Sequence, residues 1–331
     1  MNDLISLQNK AIEAIKKFQD IKSFDDLELW LFQGRGQSRN TYETYLTAVK
    51  QFYNFYDGLH PLQWTPGHIE RFYDHVREKH TVKTAYLRLA GIKKICENIR
   101  SEMPFWESPF DIMSDECRNK INKTEKGAQK EPMYQKELDE VFAYLEDGSL
   151  KNLQTTAVIR VIIDTAIRAA EVCGLTSDSL KHDLDTDTYY ITGVGKGNKD
   201  FRESITPVTL DAIKRQFYAR MGRTWKPGEF LFYSLESYNG KPPAKLTKAT
   251  LWARLREIGD KLKADGKIRG DLEFSAHLFK RTSITLAGKY GVSISRLQKL
   301  GHHSSSKTTM DFYFNDTEDI TDVKLKMQGV A

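Results

Sequence analysis

Residues 275–314 read SAHLFKRTSITLAGKYGVSISRLQKLGHHSSSKTTMDFYF, and this one run holds His277, Lys280, Arg281, His302, His303 and Tyr313. His277 opens a helix, and Lys280 and Arg281 follow at i+3 and i+4, so both reach the side that His277 faces. Cations and imidazoles gathered near one hydroxyl suit a reaction at a phosphate. They neutralise charge developing on its oxygens while the hydroxyl attacks phosphorus. Taking ~100° per residue, Phe279, Ser283, Leu286 and Tyr290 share one stripe, the expected core face. Lys280 then leans toward the core, and Arg281 points away from it, toward solvent or an external phosphate. A capping or core role for His277 is the plainer alternative.

Two upstream segments extend the set. TAIRAAEVCGL (Thr165–Leu175) puts Arg168 directly after the apolar run Ala157–Ala166, which reads as a buried helix. A charge there needs a partner, because an unpaired buried charge is costly. A structural pair with Glu171 would satisfy it; so would a phosphate held through the guanidinium fork. GVGKGNKDFR (Gly193–Arg202) is a turn rich in Gly and Asn between two expected strands, Asp187–Gly193 and Phe201–Ile205, with Lys196 on its tip. No Walker pattern is present, so these glycines are not a P-loop.

The charge is distributed unevenly. Residues 192–310 carry 23 Lys+Arg against 10 Asp+Glu, whereas residues 132–191 carry 5 against 11. The basic excess lies beside the suspected site, where a phosphate backbone would need it.

In order and distance, the segments around Arg168, Lys196 and His277–Tyr313 resemble the catalytic domain of the tyrosine recombinase (phage-type integrase) family, over roughly the last three fifths of the chain. The resemblance implies a fold that is mainly α with a small β-sheet: an N-terminal helical core-binding domain followed by an α+β catalytic domain. It implies site-specific recombination by metal-free transesterification, with no cofactor. Tyr313 would attack the scissile phosphate to give a 3′-phosphotyrosyl link, and Lys196 would protonate the departing 5′-oxygen. Arg168, His277, Lys280 or Arg281, and a late histidine would stabilise the phosphorane. Spacing to Tyr313 favours His303 as that histidine, while the words Leu300-Gly301-His302 favour His302; His303 is the expected one, since the whole downstream run keeps its length from there. The family motif is His-x-x-Arg, so Lys280 stands where an arginine is usual and Arg281 lies one residue late. Lys supplies the charge without the planar fork. The implied partners are double-stranded DNA, further copies of the chain in a tetrameric synapse, and accessory DNA-bending proteins. A type IB topoisomerase or a DNA-binding regulator with a decayed site are the alternatives.

The rest of the chain fits two domains, at 331 residues with 40% apolar and 29% charged content. No apolar run approaches the ~18 residues of a membrane span, the N-terminus is an amphipathic helix pattern rather than a signal peptide, and the three cysteines form no C-x-x-C pair. A cytoplasmic protein acting on DNA is expected, with no membrane partner. Helical stripes are predicted at Leu4–Phe18, at Leu27–Phe32, from Tyr42 to Tyr56, from Ile69 to Val76 and from Leu89 to Ile99. Ser38 or Asn40 is a candidate cap for the third of these. The expected boundaries are 1–121 for the helical domain, 122–131 for a linker and 132–331 for the catalytic domain. The polar stretch after Glu107 reads as tail and linker, with Lys120 among lysines able to cross a DNA backbone. Helices are also expected at Leu138–Leu145, Thr209–Met221 and Lys248–Lys263, and a short strand at Glu229–Tyr233. Arg254 and Arg256 are candidate phosphate contacts.

Overall fold

In the computed structural model, Lys16 and residues 21–32, 39–122, 130–195, 198–235 and 243–302 are described. The chain divides between residues 128 and 129 into two units, the first helical and the second α+β. No helix of the described residues is long and apolar enough to cross a membrane.

The described helices of the first unit are α1 (Phe24–Phe32), α2 (Arg39–Phe55), α3 (Pro66–Lys79), α4 (Val82–Glu102) and α5 (Asp115–Asn122). Apolar residues at three- and four-residue steps give each long helix one face to bury. On α3 these are Ile69, Phe72, Tyr73 and Val76, and on α4 Leu89, Ile92, Cys96 and Ile99, all buried. Phe52 of α2 meets Tyr56, Trp64 and Phe72 edge to face, at centroid distances of 5.1, 4.9 and 5.1 Å. Thr65 and His68 form a reciprocal cap at the start of α3, with Pro66 at its first position, where a missing N–H costs nothing. The expected helix Leu4–Phe18, Lys16 apart, and the candidate cap Ser38 lie outside the described residues; Asn40 sits inside α2.

Helix α5 corrects the reading of the polar tail. Cys117 and Ile121 are buried against the core, and Lys120 pairs with Glu70 at 3.0 Å and Asp74 at 2.8 Å. Lys120 therefore straps α5 to α3. Two apolar residues in eight are too few to show a helical period in sequence.

The second unit contains α6 (Gln135–Tyr144), α7 (Leu150–Thr165), the single turn α8 (Ala169–Val172), strands β1 (Leu180–Asp183), β2 (Thr188–Gly195) and β3 (Lys199–Ile205), then α9 (Pro207–Met221), α10 (Lys248–Ala264), α11 (Ala276–Lys289) and α12 (Ile294–Leu300). Helix α7 is its axis: α9, α11 and β3 all pack on it, and Ala157, Val158, Ile159, Val161 and Ile162 are fully buried. The sheet is antiparallel in the order β1-β2-β3. Its hairpin ladder runs further toward the tip than expected, through Val194↔Asp200 and Gly195↔Lys199. Strand β1 was not foreseen, since Leu-Lys-His-Asp shows no apolar alternation, and the strand expected at Glu229–Tyr233 is two isolated bridges, Thr176↔Phe230 and Tyr233↔Lys245.

Helix α11 departs most from its sequence reading. Every residue from Leu278 to Thr285 is buried, and Tyr290, placed on the core stripe, is 76% exposed beyond the helix end. The helix is enclosed on several sides rather than one. Ser283 Oγ donates to the Ile163 carbonyl of α7, Arg281 Nη1 donates to the Glu131 carbonyl at 3.1 Å, and the Met133 N–H donates to Thr282 Oγ1 at 3.0 Å. Arg281, expected to face outward, is only 7% exposed because the segment leading into α6 covers it. Arg254 is likewise no surface cation: it is buried, with Nη1 donating to Gln154 Oε1 at 2.7 Å. Arg256 stays at the surface, over the Trp252 ring and 3.8 Å from Asp260.

Candidate active site

The site begins where α7 ends. Thr165 closes the helix and Ala166 turns left-handed, at φ 46°, which redirects the chain so that Arg168 stands at the N-cap of α8. Glu171 accepts from the Arg168 backbone N–H at 2.6 Å and from its Nη1 at 3.1 Å, so the structural pair does form. The Arg168 side chain is still 36% exposed, against 11% for Glu171. One edge of the guanidinium is held and the other is open.

Lys280 lies beneath this turn at 3% exposure. Its Nζ donates to the Ala166 carbonyl, and at 2.9 Å to the carbonyl of Gly301, the residue that caps α12. One ammonium thus joins the ends of α7 and α12. Burial, with Arg168 nearby, brings its pKa down to about 8, while Glu171 and Glu203 pull the other way.

His302 follows with φ 51°, and its Nε2 is 3.3 Å from the Thr165 carbonyl and 3.6 Å from Glu203 Oε1. Its ring meets Phe201 edge-on at 5.5 Å. Phe201 can lie there because its cross-strand partner is Gly193, where a Cβ would come within 2.8 Å of Phe201 Cζ. Burial, then Lys280, holds the His302 imidazole below its ordinary range. His277, in the first turn of α11, is exposed as a residue. Its ring is nevertheless held low, first by loss of water around it and then by Arg281, Lys280, Arg168 and Lys130. These cations form one positive field that an anion would relieve.

The fold therefore assembles Arg168, Lys280 and His302, with His277 in the field of Arg281, Lys280 and Arg168, and binds Arg281 Nη1 to the Glu131 carbonyl. Arg168 and His302 line a cleft of about 340 Å³ that also presents Lys199 and Lys299. A larger apolar cavity, about 760 Å³ around Phe217, Tyr218 and Trp225, contains none of the candidate catalytic cations. Lys196, His303 and Tyr313 lie outside the described residues. Sequence reasoning passed over Glu203. Strand parity was the available clue, since Phe201, Glu203 and Ile205 share one face of β3.

Comparison with known proteins places the chain in a family. The profile of the phage integrase family matches residues 131–319, and that of the phage integrase N-terminal SAM-like domain matches residues 25–101. The chain is 24% identical over 305 residues to tyrosine recombinase XerC of Bacillus licheniformis, covering 88% of this chain and 91% of the relative. Among solved structures, XerH site-specific recombinase bound to palindromic difH substrate matches with a TM-score of 0.70 at 15% identity, over 97% of this chain and 89% of that one. The Tn1549 transposon integrase in complex with transposon right end DNA matches with a TM-score of 0.66 at 16% identity, over 93% and 99%.

Proposed function

This chain belongs to the phage integrase family of tyrosine recombinases, and from that premise we propose that it carries out site-specific recombination on double-stranded DNA. The observation that carries the proposal is the meeting of three segments far apart in sequence: Lys280 ties the turn before Arg168 to the residue before His302.

The proposed chemistry needs no metal. Tyr313, as phenolate, bonds through its oxygen to the scissile phosphorus while the P–O5′ bond breaks, leaving a 3′-phosphotyrosyl link. Lys196 gives its proton to the departing 5′-oxygen. Arg168 and Lys280 neutralise the charge that develops on the phosphate oxygens, with His277 and His302 beside them. His302 is given the role of the late histidine here in preference to His303, on the ground that it lines the cleft with Arg168. Lys280 is the second cation in preference to Arg281, because its ammonium joins the turn before Arg168 to the residue before His302, whereas Arg281 Nη1 binds the Glu131 carbonyl. An ammonium has three donors, and two of these are given to carbonyls. The third would reach the phosphate as a single bond instead of an arginine fork. The 5′-hydroxyl of a partner strand then attacks the phosphotyrosine and releases Tyr313. Exchange of strands in this way calls for several copies on paired duplexes, a tetramer in our reading.

A nicked duplex carrying a site enriched by binding selection tests the reading. Wild-type protein should give a covalent band on a denaturing gel, and Tyr313→Phe should bind the duplex equally well and give none. A peptide map of the adduct that leads to any other residue would overturn the assignment of Tyr313.

A further inference from the structure

Glu203 has no part in the chemistry just described, yet it stands inside the site. Strand β3 alternates, and the neighbours of Glu203 on its inward face, Phe201 and Ile205, are both buried. An acid in such a slot is costly unless a cation or donor accompanies it. Its Oε1 is 3.6 Å from His302 Nε2, and the cation whose field reaches it is Lys280. The other acid nearby, Glu171, is already engaged twice by Arg168. Lys280 itself hydrogen-bonds carbonyl oxygens. We propose that Glu203 is a positioning residue of this site: it supplies the negative charge that keeps the buried Lys280 an ammonium, and it holds the Nε2 edge of His302 inward beside the Thr165 carbonyl. The catalytic sense of this role rests on the recombinase reading above.

The proposal has a defined pH window. Burial pushes the Glu203 carboxyl up to about 7 and brings Lys280 down to about 8. Between these values the acid is charged and the amine is charged, and each favours the other. Below about 7 Glu203 gains a proton and its influence ends; above about 8 Lys280 loses its own. The other groups around the cleft are Arg168 and Glu171 from the α8 turn, Lys199 and Asp200 from the hairpin, and Lys299 and His302 from the α12 end. Of the two acids that raise Lys280, only Glu203 is free of Arg168.

Full-length protein labelled with [13C]lysine tests the link without DNA, the Lys280 Cε resonance being identified by its loss in Lys280→Arg. In Glu203→Gln its titration midpoint should fall by about one pH unit, a ~tenfold change in proton affinity. A midpoint that stays or rises overturns the proposal. Single-turnover cleavage of the selected nicked duplex provides the second readout. Glu203→Gln should be ~fivefold slower than wild type at pH 8 and within about twofold at pH 6. An equal loss at both pH values would mark a merely structural role and overturn it. Arginine does not titrate in this range, so adding Glu203→Gln to Lys280→Arg should bring at pH 8 only the contribution of the hold on His302, within about twofold, and a ~fivefold further loss would overturn the link to Lys280. A wild-type protein that forms no adduct at either pH overturns the recombinase reading and the catalytic sense of Glu203, while the titration still judges its hold on Lys280.

Discussion

Phe52 in the first unit and Lys280 in the second are both almost sealed from water, at 0% and 3% exposure, and their surroundings are opposites. Phe52 is ringed by Tyr56, Trp64 and Phe72, and a strap of charge such as Lys120 with Glu70 and Asp74 stays at the surface. The second unit also has an apolar core, but charges cross into it: Lys280, Arg281 and Arg254 are buried, each bound to a carbonyl or amide oxygen. The first arrangement gains stability from area and shape. The second accepts the desolvation of cations, which adds little stability and leaves strong fields where a phosphate would arrive.

The contrast can be broken by substitution. Phe52→Ala should lower the stability of the first unit by ~3–5 kcal/mol, read from denaturant unfolding, because the ring's contacts vanish and the cavity cannot fully close. Lys280→Met should reduce single-turnover cleavage by about a hundredfold, roughly 2.7 kcal/mol of barrier, with DNA binding held and a stability cost of no more than about 2 kcal/mol, since the bonds lost to two carbonyls are partly offset by relief of a buried ammonium. A loss of stability as large as that of Phe52→Ala would make Lys280 a structural residue and collapse the distinction.

Arg281 sharpens it from the other side. Arg281→Met should cost about 2 kcal/mol of stability, the worth of a charge-assisted bond to the Glu131 carbonyl, with cleavage at saturating protein little changed. Abolished cleavage in that variant, with Lys280→Met active, would exchange the roles of the two cations. Lys120→Ala should have the smallest effect, under ~1 kcal/mol, since its ion pairs remain open to solvent. A weakened DNA affinity there would restore the backbone-crossing role that its pairing argues against.

Where one side chain's period decides the outcome, the sequence was enough. Ile69, Phe72, Tyr73 and Val76 pack as their spacing predicts, and the hairpin that carries the 193–202 segment forms. What was hidden depends on partners from elsewhere in the chain. Arg281 faces away from Phe279 on a helical wheel, yet residues 131–133 close over it. Arg254 looks like a surface cation until Gln154 of α7 meets it. Strand β1 forms because β2 offers it a ladder, and Leu180–Asp183 carries no strand pattern of its own. Glu203 differs again: its parity was readable, but its company of Lys280 and His302 comes from α11 and from the end of α12.

Ala166 has a consequence for rigidity. It is fully buried at φ 46°, a conformation that costs an L-residue with a Cβ roughly 1–2 kcal/mol and a glycine almost nothing. Glycine would relieve that strain and would also open many more backbone states to the turn, Ile167 and Arg168 included. Alanine keeps the turn narrow, and the Lys280 bond to its carbonyl fastens the one state that remains. The junction thus behaves as a loaded catch: heat resistance is surrendered at one residue, and in return the arginine that would meet the phosphate has its direction set before any DNA arrives.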